Sequence, residues 1–451
     1  MRVRVKALLL IAILVIAALF SIGLVLLLRQ SPTGPPGPNP SVQLSPYKTG
    51  LAWPIALAFA SDGRVFYAER NTGNIRIIKD GAVLPTPFYT LTNTNIVGER
   101  GLLGLALDPG FPATPYVYAY QTYDDAANSS TYNRIVRIQA SGDTGVSHTV
   151  ILRMPPLSGA SNHNGGVIAF GPDGKLYAVV GENANPSYSQ SGMTPLGKVL
   201  RMNGDGSPPP DNPYYGSLSW DNLIYTYGHR NMFGIAFHPV SGDAYITENG
   251  PNCNDEVNLL IPAHNYGWGP NATCSTPPSP PTNTNRDGPS PTMPLDWWTP
   301  TIAPTNAAFF TGLLLPQSRN HLMFGAFNDH RLRELTLNAA GTAVVNQSYL
   351  LTAPAAILDV EMGRDGFLWV TTPDTIYRLV AVPPTIMGLG TESAAALPSR
   401  NLSRTGTFPQ PRCRRTASRP MIASGRASRG SSARGRSSTA SGGSRPSSRR
   451  T

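Results

Sequence analysis

His163 is the side chain of this sequence that is best suited to acid–base chemistry. It lies between two asparagines and before two glycines in the segment SNHNGGVIAF (161–170). Imidazole titrates near neutral pH, so a loop histidine beside a substrate pocket can accept the proton of an alcohol hydroxyl. A structural histidine that holds a turn has the same sequence context. The segment therefore predicts either a general base or a turn histidine.

Arg230 and Asn231 directly precede an apolar stretch in GHRNMFGIAF (228–237). A planar, permanently charged guanidinium stabilises negative charge that develops on an oxygen, and a neighbouring amide can orient the same group. The pair is therefore a candidate for electrostatic stabilisation of a reacting group. The alternative is an arginine that forms an ion pair with a carboxylate of a neighbouring element.

A run of oxygen ligands follows in NGPNCNDEVN. The carbonyls of Gly250 and Pro251, the carboxylates of Asp255 and Glu256 and, farther along, Tyr266 offer hard oxygen donors. Calcium prefers such donors and tolerates the irregular geometry of a loop. The segment predicts a calcium site. The alternative is a Gly-Pro turn whose acids cap the next strand or helix.

An alternating apolar pattern surrounds these segments and predicts the elements that position them. An apolar strand, a turn with Asp-Gly or its equivalent and a second apolar strand recur along the chain. The pattern occupies 55–69, 102–122, 166–182, 233–250 and 357–372, and a looser hairpin occupies 312–337. The starts are spaced by roughly 45 to 80 residues, which is typical of propeller blades with insertions.

Each of these hairpins belongs to a sheet that cannot bury both faces alone. Six sheets stacked radially would share a core and leave only short edges. The sequence therefore predicts an all-β fold, a six-bladed β-propeller, over residues 49–383. The low charged content of 14%, with 44 glycines and 44 prolines, agrees with many short strands and turns. A pair of β-sandwiches is the alternative, with shorter and more even strand spacing.

The N-terminal residues predict a membrane segment. Arg2, Arg4 and Lys6 precede an uncharged apolar run over 7–28, and a helix of that length spans about 33 Å. Residues 1–29 are expected to be an uncleaved anchor with a cytoplasmic N-terminus and an extracytoplasmic body. A cleaved signal peptide is the alternative and would give a secreted or periplasmic protein. The Pro-rich residues 30–48 predict an unpacked spacer.

The positive net charge of +10 is confined to the C-terminal end. Residues 391–451 contain 13 arginines, no lysine and one acid, Glu392, so the remainder of the chain is slightly acidic. The body therefore carries no electrostatic signature of nucleic-acid binding. Residues 384–451 are expected to form a disordered Arg/Ser-rich tail. Cys253 and Cys274 flank a short loop and could form a disulfide in an exported body.

Five long segments, in order, resemble the glucose/sorbosone dehydrogenase family: 98–109, 161–183, 197–214, 227–239 and 247–269. The resemblance covers about 50–380. It implies a six-bladed propeller that binds pyrroloquinoline quinone (PQQ) and calcium. His163 would be the base that deprotonates the anomeric hydroxyl. Arg230, Asn231 and Thr301 would contact the cofactor, and Gly250 and Pro251 would help to hold its calcium. The acids 255 and 256 and Tyr266 would belong to structural or additional calcium sites.

The sequence departs from the family pattern at three positions. Asn328, Ala356 and Leu358 stand where the glucose-oxidising enzyme of the family has basic residues that meet the carboxylates of the quinone. Charge-assisted hydrogen bonds contribute roughly 1.5 to 3 kcal/mol each, so their loss weakens cofactor binding. Arg331 or Arg333 could partly substitute.

These observations predict an extracytoplasmic aldose dehydrogenase, PQQ-linked and calcium-dependent, that oxidises the C1 hydroxyl of a sugar to a lactone. The expected partners are a small sugar, the membrane through the N-terminal helix and an electron acceptor in the membrane. The alternative is a non-catalytic propeller that has lost its quinone-binding residues and binds a carbohydrate or a protein.

Overall fold

Tight turns at the Asp-Gly sequences fold the alternating segments into antiparallel hairpins. Gly63 and Gly174 have φ values of +90° and +71°, a left-handed conformation that glycine adopts without steric cost. The computed structural model describes residues 40–275 and 279–382. These residues contain 25 β-strands, one α-helix of four residues and two short 3-10 turns.

The strands form six antiparallel sheets. The chain enters through β1 (Val42–Thr49), which belongs to the last sheet. The first sheet contains β2 (Pro54–Phe59), β3 (Val65–Glu69), β4 (Asn74–Lys79), β5 (Ala82–Val83) and β6 (Tyr89–Thr90). The second contains β7 (Leu102–Leu107), β8 (Tyr116–Asp125), β9 (Ser130–Ser141) and β10 (Thr144–Pro156). The third contains β11 (Ile168–Phe170), β12 (Leu176–Val180), β13 (Lys198–Met202) and β14 (Ile224–Tyr227).

The remaining sheets follow the same order. The fourth contains β15 (Met232–Phe237), β16 (Ala244–Glu248), β17 (Asp255–Leu259) and β18 (Asp296–Trp298). The fifth contains β19 (Pro304–Phe309), β20 (Leu322–Ala326), β21 (Arg331–Leu337) and β22 (Val344–Thr352). The sixth contains β23 (Asp359–Met362), β24 (Leu368–Thr371) and β25 (Thr375–Ala381). The helix α1 (Ser187–Gln190) and the 3-10 turns Pro281–Asn283 and Pro316–Ser318 lie in loops.

The sixth sheet closes the ring of sheets. Its outer strand is β1, which pairs antiparallel with β25 from Val42 opposite Ala381 to Thr49 opposite Thr375. Both ends of the folded segment therefore build one sheet, and the innermost strands of successive sheets contact one another around the ring. The described residues confirm the all-β, six-bladed β-propeller that the sequence predicts.

Apolar side chains between successive blades form the core. All five residues are buried in each of β3, β12, β16 and β20. These second strands are covered on both faces because a blade packs on each side of them. The cluster between the first two blades includes Phe66, Ile77, Leu105 and Val136. Burying a large apolar side chain of this kind contributes about 1.5–3 kcal/mol, so inter-blade packing holds the ring together.

The fifth blade begins earlier than the sequence pattern indicates. The hairpin predicted at 312–337 consists of β20 and β21, the middle strands of that blade. The innermost strand is β19, PTNAAF, which contains small residues and is not followed by an Asp-Gly turn. An irregular connection that includes the 3-10 turn Pro316–Ser318 joins it to β20. The sequence pattern therefore missed the first strand of this blade, β19, and identified its second and third strands.

The predicted spacer over 30–48 is wrong from residue 42 onward. Val42 and Leu44 pack against the core of the sixth blade, because β1 forms a paired edge there. The propeller thus includes residues that the sequence assigned to the spacer. The expected anchor (1–29), the first part of the spacer and the expected tail (384–451) lie outside the described residues. In the described part of the chain, no helix is long and apolar enough to cross a membrane. Cys253 and Cys274 form a disulfide.

Candidate active site

The six innermost strands surround a central cavity of about 390 Å³. Each blade contributes at least one wall residue from the start of its inner strand or the position before it, including Ile55, Leu103, Val167, Phe233, Thr305 and Leu358. Five of these side chains are apolar and one is a threonine. The interior of the channel therefore suits an apolar or aromatic group, and its polar chemistry must come from the loops at the mouth.

Connections between strands provide the polar rim. Arg70, Glu99 and Asn249 line the same cavity as the aromatic residues Trp53 and Phe327. Glu99 and Asn249 lie in connections between strands, and Arg70 follows the end of β3. Small-molecule sites usually combine apolar walls with a few charged or polar side chains.

His163 forms a pair with Glu182 beside this rim. Its Nδ1 lies 2.8 Å from Oε2 of Glu182, and both residues are buried, with exposures of 7% and 1%. The backbone amide of Asn183 donates to the carbonyl of His163 at 3.0 Å. An ionised carboxylate only accepts hydrogen bonds, so Nδ1 carries the proton and Nε2 has a free lone pair. No protein atom of the described residues hydrogen-bonds Nε2, which is the arrangement a general base requires.

Glu99 connects His163 to Asn231. One of its oxygens, Oε2, accepts from the backbone amide of His163 at 2.7 Å and from Nδ2 of Asn231 at 3.1 Å. Oδ1 of Asn231 in turn accepts from the amide of Gly165 at 3.2 Å. Sequence reasoning did not single out Glu99, although its segment GERGLLGLALDP carried part of the family resemblance. A carboxylate three residues before an inner strand was the available signal.

The backbone of Arg230 is hydrogen-bonded to Glu182, the partner of His163. Its carbonyl accepts from the amide of Glu182 at 3.0 Å, and its Nη1 donates to the carbonyls of Asn249 and Gly250, each at 2.8 Å. Its Nε is buried without a protein partner. Burial lowers the pKa of Arg230, while nearby carboxylates, Glu182 first, oppose the shift. The guanidinium is therefore held against these carbonyls, and its Nε is enclosed by protein.

Thr301 lies near the cavity without lining it. Its carbonyl accepts from Nδ2 of Asn328 at 3.2 Å, whereas the adjacent Ala303 and Phe327 are in the wall. Of the two apolar replacements, Leu358 lines the cavity and Ala356 is buried outside its lining. Asn328 is exposed.

The arginines proposed as substitutes are engaged elsewhere. Arg333 forms an ion pair with Asp329, and Nε of Arg331 lies 3.8 Å from the same carboxylate. Neither arginine lines the central cavity. The suggestion that they replace the missing basic residues is therefore wrong.

The predicted calcium ligands converge only in part: Gly250, Pro251, Glu256 and Tyr266 line one small cavity, and Asp255 does not line it. Asp255 and Glu256 are successive residues of β17, so their side chains point to opposite faces of the sheet. Oδ2 of Asp255 accepts from the amides of Ile302 and Ala303, each at 2.6 Å. Its Oδ1 accepts from the amide of Gly250 at 2.8 Å. No group of three or more His, Cys, Asp or Glu side chains in the described ranges is placed to hold a metal ion.

The other predicted ligands are engaged in the same way. Oε2 of Glu256 accepts from the side-chain amides of Asn258 and Asn285 at 3.0 and 3.1 Å. The hydroxyl of Tyr266 donates to the carbonyl of Leu259. The carbonyl of Gly250 is occupied by Arg230, and Pro251 lines only a small polar cavity of about 10 Å³. These donors therefore do not fit calcium as they are arranged.

Burial controls the protonation of these acids. It raises the pKa of Asp255 to about 6 and that of Glu256 to about 8, and the charge of Glu248 adds to the second shift. At neutral pH Glu256 is therefore mostly protonated, whereas Asp255, which accepts from three backbone amides, is mostly ionised.

The central cavity fits a planar quinone better than the loop fits calcium. Trp53, Phe233 and Phe327 provide aromatic surface in the wall. The guanidinium of Arg70 provides donors for oxygen atoms in the cavity, whereas Arg230 lines a separate small cavity with Gly250 and Pro251. The residues present therefore match a flat, anionic aromatic group, although fewer cations are available than the family pattern would supply.

Comparison with known proteins agrees with this geometry. The family described as Glucose / Sorbosone dehydrogenase matches residues 51–380. A glucose dehydrogenase-type oxidoreductase from Thermus thermophilus has 35% identity and a TM-score of 0.66, covering 75% of this chain and all of that chain. An aldose sugar dehydrogenase of Escherichia coli K12 is 28% identical over 74% of this chain and 91% of its own length. The PQQ-bound aldose sugar dehydrogenase of Streptomyces coelicolor has 29% identity and a TM-score of 0.63, covering 77% of this chain and 100% of that chain.

Proposed function

The chain belongs to the glucose/sorbosone dehydrogenase family, and we propose that it is a PQQ-linked aldose dehydrogenase that oxidises the C1 hydroxyl of a sugar to a lactone. The named relatives support the substrate class, since they include aldose sugar and glucose dehydrogenases. The Streptomyces coelicolor relative with bound PQQ supports the cofactor.

The observation that carries this proposal is the pair formed by His163 and Glu182, which is joined to the cavity wall by the bond from the backbone amide of His163 to Glu99. Nδ1 of His163 is bonded to the carboxylate at 2.8 Å, which fixes the ring and leaves the lone pair of Nε2 for a substrate hydroxyl. When Nε2 accepts that proton, the ring of His163 becomes an imidazolium. The negative charge of Glu182 stabilises this cation. The pair thus removes a proton from the anomeric hydroxyl while the C1 hydride leaves.

The other residues of the rim position the reacting groups. Glu99 holds the backbone of His163 and the side chain of Asn231 in one network, so the base and the amide keep a fixed separation. The charge of Arg230, whose Nη1 is bonded to the carbonyl of the cavity-lining Asn249, would stabilise negative charge that develops on the acceptor. The aromatic wall would hold the cofactor ring, and bound PQQ would supply the hydride acceptor.

Calcium is a weaker part of the proposal, because the donors at 250–256 are engaged in hydrogen bonds within the protein. Calcium dependence would therefore require these donors to rearrange on loading. Titration of calcium in the presence and absence of PQQ tests this requirement separately from the reaction.

We also propose that the propeller is extracytoplasmic. The apolar run over 7–28 after three positive charges supports export, as an anchored or a secreted protein. The disulfide between Cys253 and Cys274 is typical of an oxidising compartment. Carbonate washing of membranes distinguishes an anchored protein from a secreted one.

The decisive experiment uses the full-length protein, purified in detergent and loaded with PQQ, with and without calcium. A panel of aldoses is offered with an artificial electron-accepting dye. The proposal expects sugar-dependent dye reduction and a lactone product. If no aldose reduces the dye while the protein binds sugars in equilibrium measurements, the non-catalytic propeller that binds carbohydrate is the correct description.

A further inference from the structure

Arg70 is a cation of the central cavity without an ion-pair partner in the described residues. Its guanidinium donates to the carbonyl of Gly98 and, at 3.0 Å, to Oδ1 of Asn71, both of which are uncharged acceptors. Burial lowers the pKa of Arg70, and the charge of Glu99 opposes the shift. A partly desolvated cation with neutral contacts retains attraction for an anion that enters the cavity.

Trp53 provides the surface against which this guanidinium lies. The central carbon of the Arg70 guanidinium is 5.6 Å from the centre of the Trp53 ring, within the range of a cation–π interaction. Both side chains line the central cavity. A planar cation beside an indole offers hydrogen-bond donors and an adjacent flat apolar surface to a planar anion.

The backbone fixes both residues before any ligand arrives. The amide of Arg70 donates to the carbonyl of Trp53 at 3.0 Å, and the carbonyl of Arg70 accepts from the amide of Leu102 at 3.1 Å. The amide of Trp53 donates to the carbonyl of Pro373 at 2.9 Å. Arg70 is therefore bonded to the second blade and Trp53 to the sixth, which limits the movement of the pair.

Glu99 lines the same cavity, and its charge attracts Arg70. In the described residues no hydrogen bond or ion pair joins the two side chains, and Oε2 of Glu99 accepts from His163 and Asn231 in loops of the third and fourth blades. Leu358, the apolar replacement in the sixth blade, lines the cavity as well. The sixth blade therefore provides no cation at position 358, whereas the first blade provides one, Arg70, in the same cavity.

We propose that Arg70 and Trp53 form a carboxylate-binding subsite in the central cavity. This inference rests on the proposed function for the identity of its ligand, which is a planar carboxylate of the quinone or the carboxylate of an acidic sugar such as glucuronate. A carboxylate accepts two parallel hydrogen bonds from a guanidinium, whereas a lysine in its place supplies charge without that geometry.

The test compares Arg70→Gln and Arg70→Lys with the wild type in the full-length protein. Trp fluorescence and calorimetry measure binding of PQQ and, separately, of glucuronate and glucose. If the ligand is the quinone, Arg70→Gln weakens PQQ binding about 10- to 100-fold, and the ratio of glucuronate to glucose affinity is unchanged. If the ligand is the acidic sugar, that ratio falls by the same factor and PQQ binding is unchanged. In either case Arg70→Lys shows an intermediate loss.

Arg331→Gln is the matched control, because Arg331 lies outside the central cavity and its side chain is 41% exposed; it should bind both probes as the wild type does. Thermal unfolding of each variant checks that the fold is retained, and Arg70→Lys serves if Arg70→Gln fails to fold. Wild-type affinity of the Arg70 variants for both probes, or no binding of either probe to the wild type, overturns the proposal. Binding is measured without turnover, so a protein that binds PQQ through Arg70 and oxidises no aldose refutes only the proposed function.

Discussion

The carboxylate of Glu182 lies 2.8 Å from Nδ1 of His163, and both side chains are buried. The two residues belong to the same blade: His163 is in the loop that enters β11, and Glu182 follows the end of β12. A hairpin thus brings a base and its orienting acid together across 19 residues. The single contact sets which nitrogen of the imidazole faces a substrate.

Replacement of His163 tests the base. We expect His163→Gln to lower kcat for sugar-dependent dye reduction about 10²- to 10⁴-fold, because glutamine cannot accept the hydroxyl proton. His163 is 7% exposed and bonded to Glu182, so the variant should also lose about 1–3 kcal/mol in the free energy of unfolding. Steady-state kinetics and denaturant unfolding measure the two effects. Retention of wild-type kcat would mean that His163 only holds a turn.

Replacement of Glu182 tests the orienting carboxylate independently. In Glu182→Gln the amide can donate to Nδ1 as well as accept from it, so part of the population presents the wrong tautomer. Loss of the carboxylate also removes the charge that stabilises the imidazolium. We expect kcat to fall about 10²- to 10⁴-fold with little change in the affinity for sugar. A variant that raises only KM would place Glu182 in substrate binding instead.

The sequence singled out three candidate site residues because they lie in continuous motifs, and their roles in the reaction stay predictions. His163, Arg230 and Asn231 each closely precede an inner strand, and the strands were recognisable from their alternation. The roles of Glu99 and Arg70 could not be predicted in this way. Glu99 contacts His163 across 64 residues and Asn231 across 132, and only the closure of the ring makes them neighbours.

The errors at the calcium loop and in the fifth blade also have physical causes. Asp255 and Glu256 appear as a ligand pair only if the chain there is a loop, whereas Asp255 is the first residue of β17. In the fifth blade, the small residues Ala307 and Ala308 make β19 inconspicuous as a strand. They are buried in the structure, because neighbouring blades enclose both faces of this strand.

The buried acids of the sixth blade predict a pH-dependent stability. Nδ2 of Asn306 donates to Asp359 at 2.7 Å and to Glu361 at 3.1 Å, and the amide of Leu57 donates to Asp359 at 2.7 Å. Burial raises the pKa of Asp359 to about 6, and burial together with the charge of Asp359 raises that of Glu361. These bonds join the fifth, sixth and first blades.

The sign of the effect follows from the raised pKa values. Between about pH 4, where an unfolded carboxyl titrates, and pH 6, the folded protein binds more protons than the unfolded chain. The free energy of unfolding therefore falls as the pH rises through this window. We expect Glu361→Gln, which keeps an acceptor for Asn306, to weaken this dependence and to raise the free energy of unfolding at pH 8. Urea unfolding of the wild type and of Glu361→Gln at pH 5 and pH 8 measures the free energy of unfolding of each. Identical pH dependences of the two proteins would contradict this explanation.

Two substitutions in the sixth blade distinguish an effect on ligand binding in the cavity from an effect on packing. Leu358 lines the central cavity, whereas Ala356 is buried outside its lining. Leu358→Arg should add a donor for a quinone carboxylate and tighten PQQ binding about tenfold, with the change measured by calorimetry. Ala356→Arg forces a long charged side chain into a packed region, so it should destabilise the fold by at least about 3 kcal/mol without improving affinity. If Leu358→Arg leaves PQQ affinity unchanged while the fold is intact, the carboxylates of the quinone do not face the sixth blade. The first-blade cation, Arg70, would then be the counter-charge to examine, because it lines the same cavity from the neighbouring blade.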